Sequence, residues 1–381
     1  MSLALHTVER FHDSPMKNED ASLSRRSFVR DLSLGASAAF VAPNFLDAQT
    51  SAPKVKLGFD NFSIRALGWK APRLLEYADK QKVDTILFSD LDVFESHEEG
   101  YLKEIKQEAG KFGISIQAGT GGICPTSPKF IDKYGSAEDH LKRTIKVAEA
   151  LGSPVARCYL GTMKDRQGPG GIQKHVESTI QVCKKVRQFA LDAGVKIAIE
   201  NHAGDMHSLE LVRLVEEAGK DWVGVNMDSG NAVWTLEDPY ENLKNLAPYT
   251  FTTSLRDTMV WPSENGYTAA WTAMGEGLVD WKKYFAHFAK VCPEAPICIE
   301  TISGFNRELK VNQEDFWKAW PKGKPKGYGK FEAFAKRGKE IGTFKAPEGV
   351  DRKVAQQQFQ KGDIERSIRF CKKELGLGAR S

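Results

Sequence analysis

Eight short apolar runs punctuate this chain, at 55–59, 83–88, 114–118, 155–159, 195–200, 223–228, 249–254 and 296–300, with starts 26 to 47 residues apart. That spacing is the one expected of repeated strand–helix units, each of roughly 30 or more residues. Amphipathic segments lie between the runs, at 138–151, 172–193 and 208–218, with apolar residues recurring every three or four positions. Gly113, Gly152, Gly194 and Gly219 stand just before strands, where a helix is stopped. Eight such alternations predict a (β/α)8 TIM barrel. A doubly wound open sheet is the runner-up, but it would carry a glycine-rich phosphate turn after its first strand. Leu57-Gly-Phe-Asp-Asn-Phe62 has none, and Gly119-Thr-Gly-Gly122 reads as backbone accommodation rather than a phosphate cradle.

The end of the chain changes character. Residues 317–330 are rich in Pro, Gly and Lys and read as a solvated loop. Helical segments follow at 331–338 and 354–375, expected to be the barrel's last helix and an appended one. The expected organisation is a leader over 1–50, the barrel over 53–345, and a C-terminal helical extension over 346–381.

Four carboxylates end four of the apolar runs: Glu200, Asp228, Asp257 and Glu300. A carboxylate is expensive to bury, so each requires a partner or a task. Acids at corresponding ends of successive parallel strands converge on the carboxyl mouth of the barrel, where such proteins bind metal and substrate. Glu and Asp from separate strands suit Mn, Mg or a mixed-ligand Zn ion. Such an ion stabilises an enediolate while two carboxylates move a proton at carbon. Glu200 and Glu300 suit the proton-transfer roles and Asp228 that of a pure ligand; the plain alternative for each is pairing with an arginine.

His202 shares a strand face with Glu200, as a ligand, a substrate donor or an orienting residue. His207 begins a helix and is expected at the surface, and His97, His140, His175 and His287 are read as structural. Arg157 and Arg256 are candidates to bind hydroxyls or balance the acids. Trp234, Trp261 and Trp271 are candidates to stack on a sugar ring.

A net charge of +4 over 381 residues, with no basic stretch interleaved with aromatics, argues against a nucleic-acid partner. Ser24-Arg-Arg-Ser-Phe-Val-Arg30, followed by a mild apolar run over 32–42, has the form of a twin-arginine (Tat) export signal. The run is too short to span a bilayer, so no stable membrane span is expected once the leader is cleaved. Export implies a periplasmic or other extracytoplasmic location and disfavours a phosphorylated substrate. None of Cys124, Cys158, Cys183, Cys292, Cys298 and Cys371 forms a C-x-x-C pair; Cys124 and Cys371 are left open to disulfide formation.

Glu-Asn-His at 200–202, Asp-Ser-Gly-Asn at 228–231, Leu-Arg-Asp at 255–257, Gly275-Glu-Gly-Leu-Val-Asp-Trp281 and Ile-Glu-Thr at 299–301 resemble the xylose isomerase-like TIM-barrel superfamily, in particular its sugar (phosphate) isomerase/epimerase branch. The resemblance covers roughly residues 55–344. It implies a divalent metal (Mn, Mg, Co or Zn) held by Glu200, Asp228, Glu300 and a strand-seven histidine, with Glu200 and Glu300 as the acid/base pair. The chain departs from that pattern at two places. The strand-seven histidine position is Ser254, a far poorer ligand, and the histidine expected three residues after Asp228 is Asn231. His202, water or Asp257 then fills the gap, or the metal site is weakened.

The leading expectation is a metal-dependent isomerase or epimerase of an unphosphorylated sugar or sugar derivative. Its ligand set is Glu200, Asp228, Glu300 and Ser254, and its substrate contacts are His202, Asn231, Arg256, Asp257, Arg157 and Trp261. A 3-keto-glycoside lyase and a non-catalytic exported sugar-binding barrel are the alternatives. The partner is a small carbohydrate, with a homo-oligomer left open.

Overall fold

The computed structural model describes residues 55–380. Eight parallel strands form its centre: β1 (Leu57–Asp60), β2 (Thr85–Phe88), β3 (Ser115–Gly122), β4 (Val155–Tyr159), β5 (Lys196–Glu200), β6 (Val223–Met227), β7 (Thr250–Thr253) and β10 (Ile297–Ile299). Each pairs with its sequence neighbour, and β10 returns to β1. The ring is completed just after β7, where Leu255 N donates to Cys298 O (2.7 Å) and Glu300 N donates to Leu255 O (2.8 Å). The fold is a (β/α)8 TIM barrel, and each of the eight apolar runs holds one of its strands. The near-complete burial of these strands explains their continuous apolar character.

The surrounding helices are α1 (Ala71–Lys80), α2 (Glu99–Phe112), α3 (Ala137–Leu151), α4 (Gly171–Asp192), α5 (Ser208–Ala218), α6 (Pro239–Leu246), α7 (Trp281–Val291), α8 (Tyr328–Ala335) and α9 (Arg352–Leu375). Gly113 and Gly152 close α2 and α3 in the left-handed conformation, each donating its N–H back to the last turn. The segment read as Gly119-Thr-Gly-Gly122 is strand rather than turn. A Cβ at Gly119 would press on Arg157 at 3.0 Å, so the glycine gives that side chain its passage.

Two features differ from the sequence expectation. The long interval before β10 contains an antiparallel hairpin, β8 (Asp257–Ser263) and β9 (Gly266–Thr272), extended by β11 (Asn306–Leu309). Glu264-Asn265-Gly266 turns it, an Asn-Gly signal between aromatic-rich runs. The two terminal helices also exchange their expected roles. α8 packs under the small sheet, where Phe331 meets Tyr267 edge-on at 5.2 Å. The so-called extension, α9, buries Ile364, Ile368 and Cys371 in the main barrel core, in the place of a last barrel helix. One narrow apolar stripe on an otherwise charged helix suffices, because only that stripe touches the strands.

All six cysteines are buried and free. Among the described residues, no helix is long and apolar enough to cross a membrane. The twin-arginine segment lies outside the described residues.

Candidate active site

The carboxyl ends of the strands bring together Asp60 (β1), Arg157 and Tyr159 (β4), Glu200 (β5), Asp228 (after β6), Ser254 and Arg256 (after β7) and Glu300 (after β10). Carboxylate oxygens of Glu200, Asp228 and Glu300 lie within 4.8 Å of one another, the spacing at which three acids can meet one cation. All three are buried. A cavity of about 380 Å³ reaches the cluster at Glu300 and is lined by Arg157, Tyr159, His202, Asn231, Arg256 and Glu300, with Trp234, Trp271, Phe62 and Phe305 on its apolar side. Trp234 and Trp271 stack face to face at 4.3 Å, and Phe305 meets both edge-on.

Every one of the three acids has an arginine partner. Arg157 Nη2 donates to Glu200 Oε2, and Arg256 Nη2 donates to both Asp228 Oδ2 and Glu300 Oε2. Asn226 Nδ2 donates to Glu200 Oε2 and to Ser254 Oγ, each at 3.0 Å. Asn231 Nδ2 bridges Glu200 Oε1 (3.2 Å) and Asp228 Oδ2. Asp228 Oδ1 accepts from the backbone of Gly230 and Asn231 at 2.8 and 2.9 Å.

Burial raises the Asp228 carboxyl, with Arg256 offsetting part of the effect. Glu300 is also raised by burial, against the opposing pull of Arg256 and with a further push from Glu200. Burial and the charge of Glu300 push Asp60 up to about 8. Burial alone would lower the Arg256 guanidinium, but Asp228 and Glu300 outweigh it and its net shift is upward. Four carboxyls, Asp60, Glu200, Asp228 and Glu300, therefore share the two arginines Arg157 and Arg256.

His202 stacks on Tyr159 at 3.8 Å, and its Nδ1 lies 2.6 Å from Gly161 O. Burial, reinforced by Arg157, lowers its pKa to about 4, so near neutral pH it is an uncharged ring donating from Nδ1. Its second nitrogen is then left as an acceptor beside the cavity. Its loop is held by Asp205, whose carboxylate takes the N–H groups of Gly161, His202 and Met206.

Three sequence expectations need correction. Asp257 does not face the cavity. Its carboxylate accepts from Gly275 N (3.0 Å), Gly277 N (3.1 Å), Val279 N (3.2 Å) and Trp281 Nε1 (2.8 Å), tying Gly275–Trp281 to the strand. The acid ends an apolar run because it organises a turn. Trp261 likewise points away: strand alternation puts it with Met259 and Ala270, while Val260 packs with Trp234 and Trp271 on the opposite sheet face. His207 does begin α5, as its N-cap, yet it is buried.

Ser254 sits beside the cluster but is otherwise engaged. Its hydroxyl accepts from Asn226 and lies 3.5 Å from Asp60 Oδ2. As built, the set does not fit a divalent ion held by Glu200, Asp228, Glu300 and Ser254, because a guanidinium already takes an oxygen from two of the acids. An ion seated there would have to displace Arg256, which is only 1% exposed, and leave it buried alongside. At a separation of about 5 Å and an effective dielectric near 20, that repulsion is about 7 kcal/mol.

Sequence reading missed Asp60, Ser89, Tyr159 and Asn226. Asp60 was discoverable by the rule that found the other acids, since it directly follows the first apolar run. It accepts from Ser89 Oγ (2.5 Å) and Phe62 N (2.8 Å). Asn226 carries no such signal, being one polar residue inside a strand.

The pattern describing a xylose isomerase-like TIM barrel matches residues 56–319. The uncharacterized protein YihM of Escherichia coli (strain K12) is 27% identical over 111 residues, 29% of this chain and 34% of the relative. The chain thus matches about a third of the length of that curated relative. Among solved structures, a D-psicose 3-epimerase in the presence of D-fructose aligns with a TM-score of 0.55 at 16% identity, over 84% of this chain and 99% of that one. The IolI protein with a bound zinc atom aligns with a TM-score of 0.51 at 16% identity, over 75% of this chain and all of the other. At such identities the likeness is one of fold.

Proposed function

Because the chain belongs to the xylose isomerase-like TIM barrel family, we propose that it is an enzyme of the sugar isomerase/epimerase kind, moving a proton at a carbon beside a carbonyl of an unphosphorylated sugar or sugar derivative. The observation that carries this reading is the facing pair Glu200 and Glu300, brought together from β5 and the end of β10 beneath a cavity with polar and aromatic walls. The D-psicose 3-epimerase of similar fold supports the substrate class.

Glu300 lines the cavity, and burial raises its carboxyl above the usual glutamate range, the direction that suits a proton donor. Glu200, held by Arg157, Asn226 and Asn231, serves as the base on the opposite side. Asp228 positions Arg256 and Asn231. Arg157, Asn231 and the neutral His202 contact substrate oxygens, while Trp234 and Trp271 offer an apolar wall for a sugar's C–H face. The IolI structure of similar fold holds a zinc atom, but here Arg256 already pairs with two of the acids that such an ion would need. Export through the twin-arginine segment forms part of the proposal and places the enzyme outside the cytoplasm.

The aromatic wall also favours a second reading, elimination from a ring-closed keto-glycoside, where the same proton abstraction expels an aglycone. Unphosphorylated ketoses and 3-keto-glycosides incubated in D2O and followed by NMR test both. Solvent deuterium entering the carbon beside the carbonyl is expected, with conserved formula for isomerisation and a released aglycone for elimination. Binding without exchange across the panel would refute the enzyme and leave a sugar-binding barrel.

A further inference from the structure

We infer that the working cation of this site is the side chain of Arg256, and that its guanidinium meets an oxygen of an α-hydroxy-carbonyl substrate where a divalent metal was expected. The inference rests on the proposed function for its substrate class, but its central claim concerns only what occupies the acid cluster.

The occupant is built in. Nη2 of Arg256 is shared between Asp228 and Glu300, which come from different strands, so it sits where the acids converge. Its backbone is locked to the residue after Asp228: Arg256 N donates to Ser229 Oγ (3.0 Å), and Ser229 Oγ donates to Arg256 O (2.7 Å). The Trp271 ring lies 4.2 Å from the guanidinium carbon, and Trp271 Nε1 donates to Gly230 O at 2.9 Å. A Cβ at Gly230 would overlap Cγ and Cδ of Arg256, so this glycine is the gap through which the side chain passes. A side chain held by two acids, an aromatic face and a shaped backbone is a fixed component of the site.

The chemistry of the segment after β7 agrees. That segment supplies Ser254 and Arg256, two residues apart, where an imidazole ligand was expected. Ser254's hydroxyl is turned to Asn226 and Asp60 instead of offering a lone pair to an ion. The exchange substitutes a fixed single charge for a dissociable double one.

The unpartnered N–H groups of the guanidinium point to the ligand. Nε and Nη1 of Arg256 have no acceptor among the described residues, nor has Nε of Arg157, although both side chains are buried and line the cavity. Buried donors of this kind call for oxygen acceptors. Nε and Nη1 lie on different edges of the guanidinium, and both two-pronged edges use the Nη2 that the acids hold, so each free N–H meets a single oxygen, such as one of those of a hydroxy-ketone or of the enediolate formed from it. The positive charge would stabilise that developing oxyanion more than the neutral ketone.

Elemental mass spectrometry on full-length protein purified without chelator, together with calorimetric titration of Mn, Mg, Co and Zn ions, tests the claim without any substrate. Expected is well under one divalent ion per chain, no saturable binding, and a melting temperature indifferent to EDTA. One tightly held ion per chain, removed by EDTA with loss of thermal stability, would overturn the inference. Because these measurements use the wild-type chain, no variant need fold. As a second arm, Ser254→His combined with Arg256→Ala should bind Mn saturably, at about one ion per chain, where the wild type does not; no binding in a variant that melts cooperatively would show that Arg256 is not what excludes the ion. Failure of every keto-sugar to exchange deuterium would defeat the proposed reaction while leaving these results intact.

Discussion

Replacing Asp257 by alanine separates a structural acid from a substrate-binding one. Four groups from a different segment donate to its carboxylate: the N–H groups of Gly275, Gly277 and Val279 and the indole of Trp281. A hydrogen bond to a charged group contributes about 1.5–3 kcal/mol when its partners are buried. The glycine N–H groups lie near exposed Glu276 and can recover water, so the lower end applies to them. About 6 kcal/mol, four bonds at the lower end of that range, is the resulting loss for Asp257→Ala, a large share of the 5–15 kcal/mol that holds a typical domain. With an unfolding entropy of about 2.1 cal/mol/K per residue, 326 described residues correspond to about 0.7 kcal/mol per kelvin, so the melting temperature should fall by about 9 °C. Circular dichroism melts of the wild type, Asp257→Ala and Asp257→Asn check this, with the asparagine variant intermediate because it keeps one acceptor oxygen. A melting temperature within about 1 °C of wild type would refute the reasoning, and loss of sugar binding in that stable variant would return Asp257 to the substrate site.

Glu200→Gln should lower kcat/KM by about 10² to 10⁴-fold while leaving the fold intact, the range expected for removing a general base; near-normal turnover would remove Glu200 from the mechanism. Asp60 holds its proton up to about 8 in the folded chain but releases it near 3.8 when unfolded. The folded state then binds more protons across that window, so Asp60 withdraws stability as pH rises from about 4 to 8. Asp60→Asn should flatten the decline in melting temperature between pH 5 and 8, and parallel curves for variant and wild type would show that the carboxyl is not raised. Gly230→Ala should cost about 1–3 kcal/mol by overpacking against Arg256 and Trp271, read as a lower denaturant midpoint; an unchanged midpoint would mean that the arginine has room to move.

The barrel was legible because its cause is repetitive. Strands buried on both faces must be apolar, and the helices between them must show a stripe, so eight runs at regular intervals admit few other folds. Glu200, Asp228 and Glu300 were legible because a carboxylate at the end of a buried run has little reason to be there except to meet a partner. The same rule, applied at the first run, would have pointed to Asp60. It over-reached at Asp257, since sequence does not distinguish a strand-end acid that looks into the barrel mouth from one that caps the backbone of a neighbouring turn. Trp261 failed for a related reason: its face depends on the register of the β8–β9 hairpin, and a shift of one residue would have reversed it.

By itself, then, the sequence determined the strand count, the acid cluster at the strand ends, and the replacement of an expected imidazole by Ser254. Only the tertiary structure decided which cation answers those acids. Arg256 and Arg157 are ordinary basic residues on a strand or just beyond it until the ring closes. Closure carries their side chains into a buried site where three carboxylates converge, and long-range geometry of that kind leaves no trace in local pattern. The place of α9 in the core was decided in the same way, because a helix with a single apolar stripe declares itself only when there is a surface for the stripe to cover.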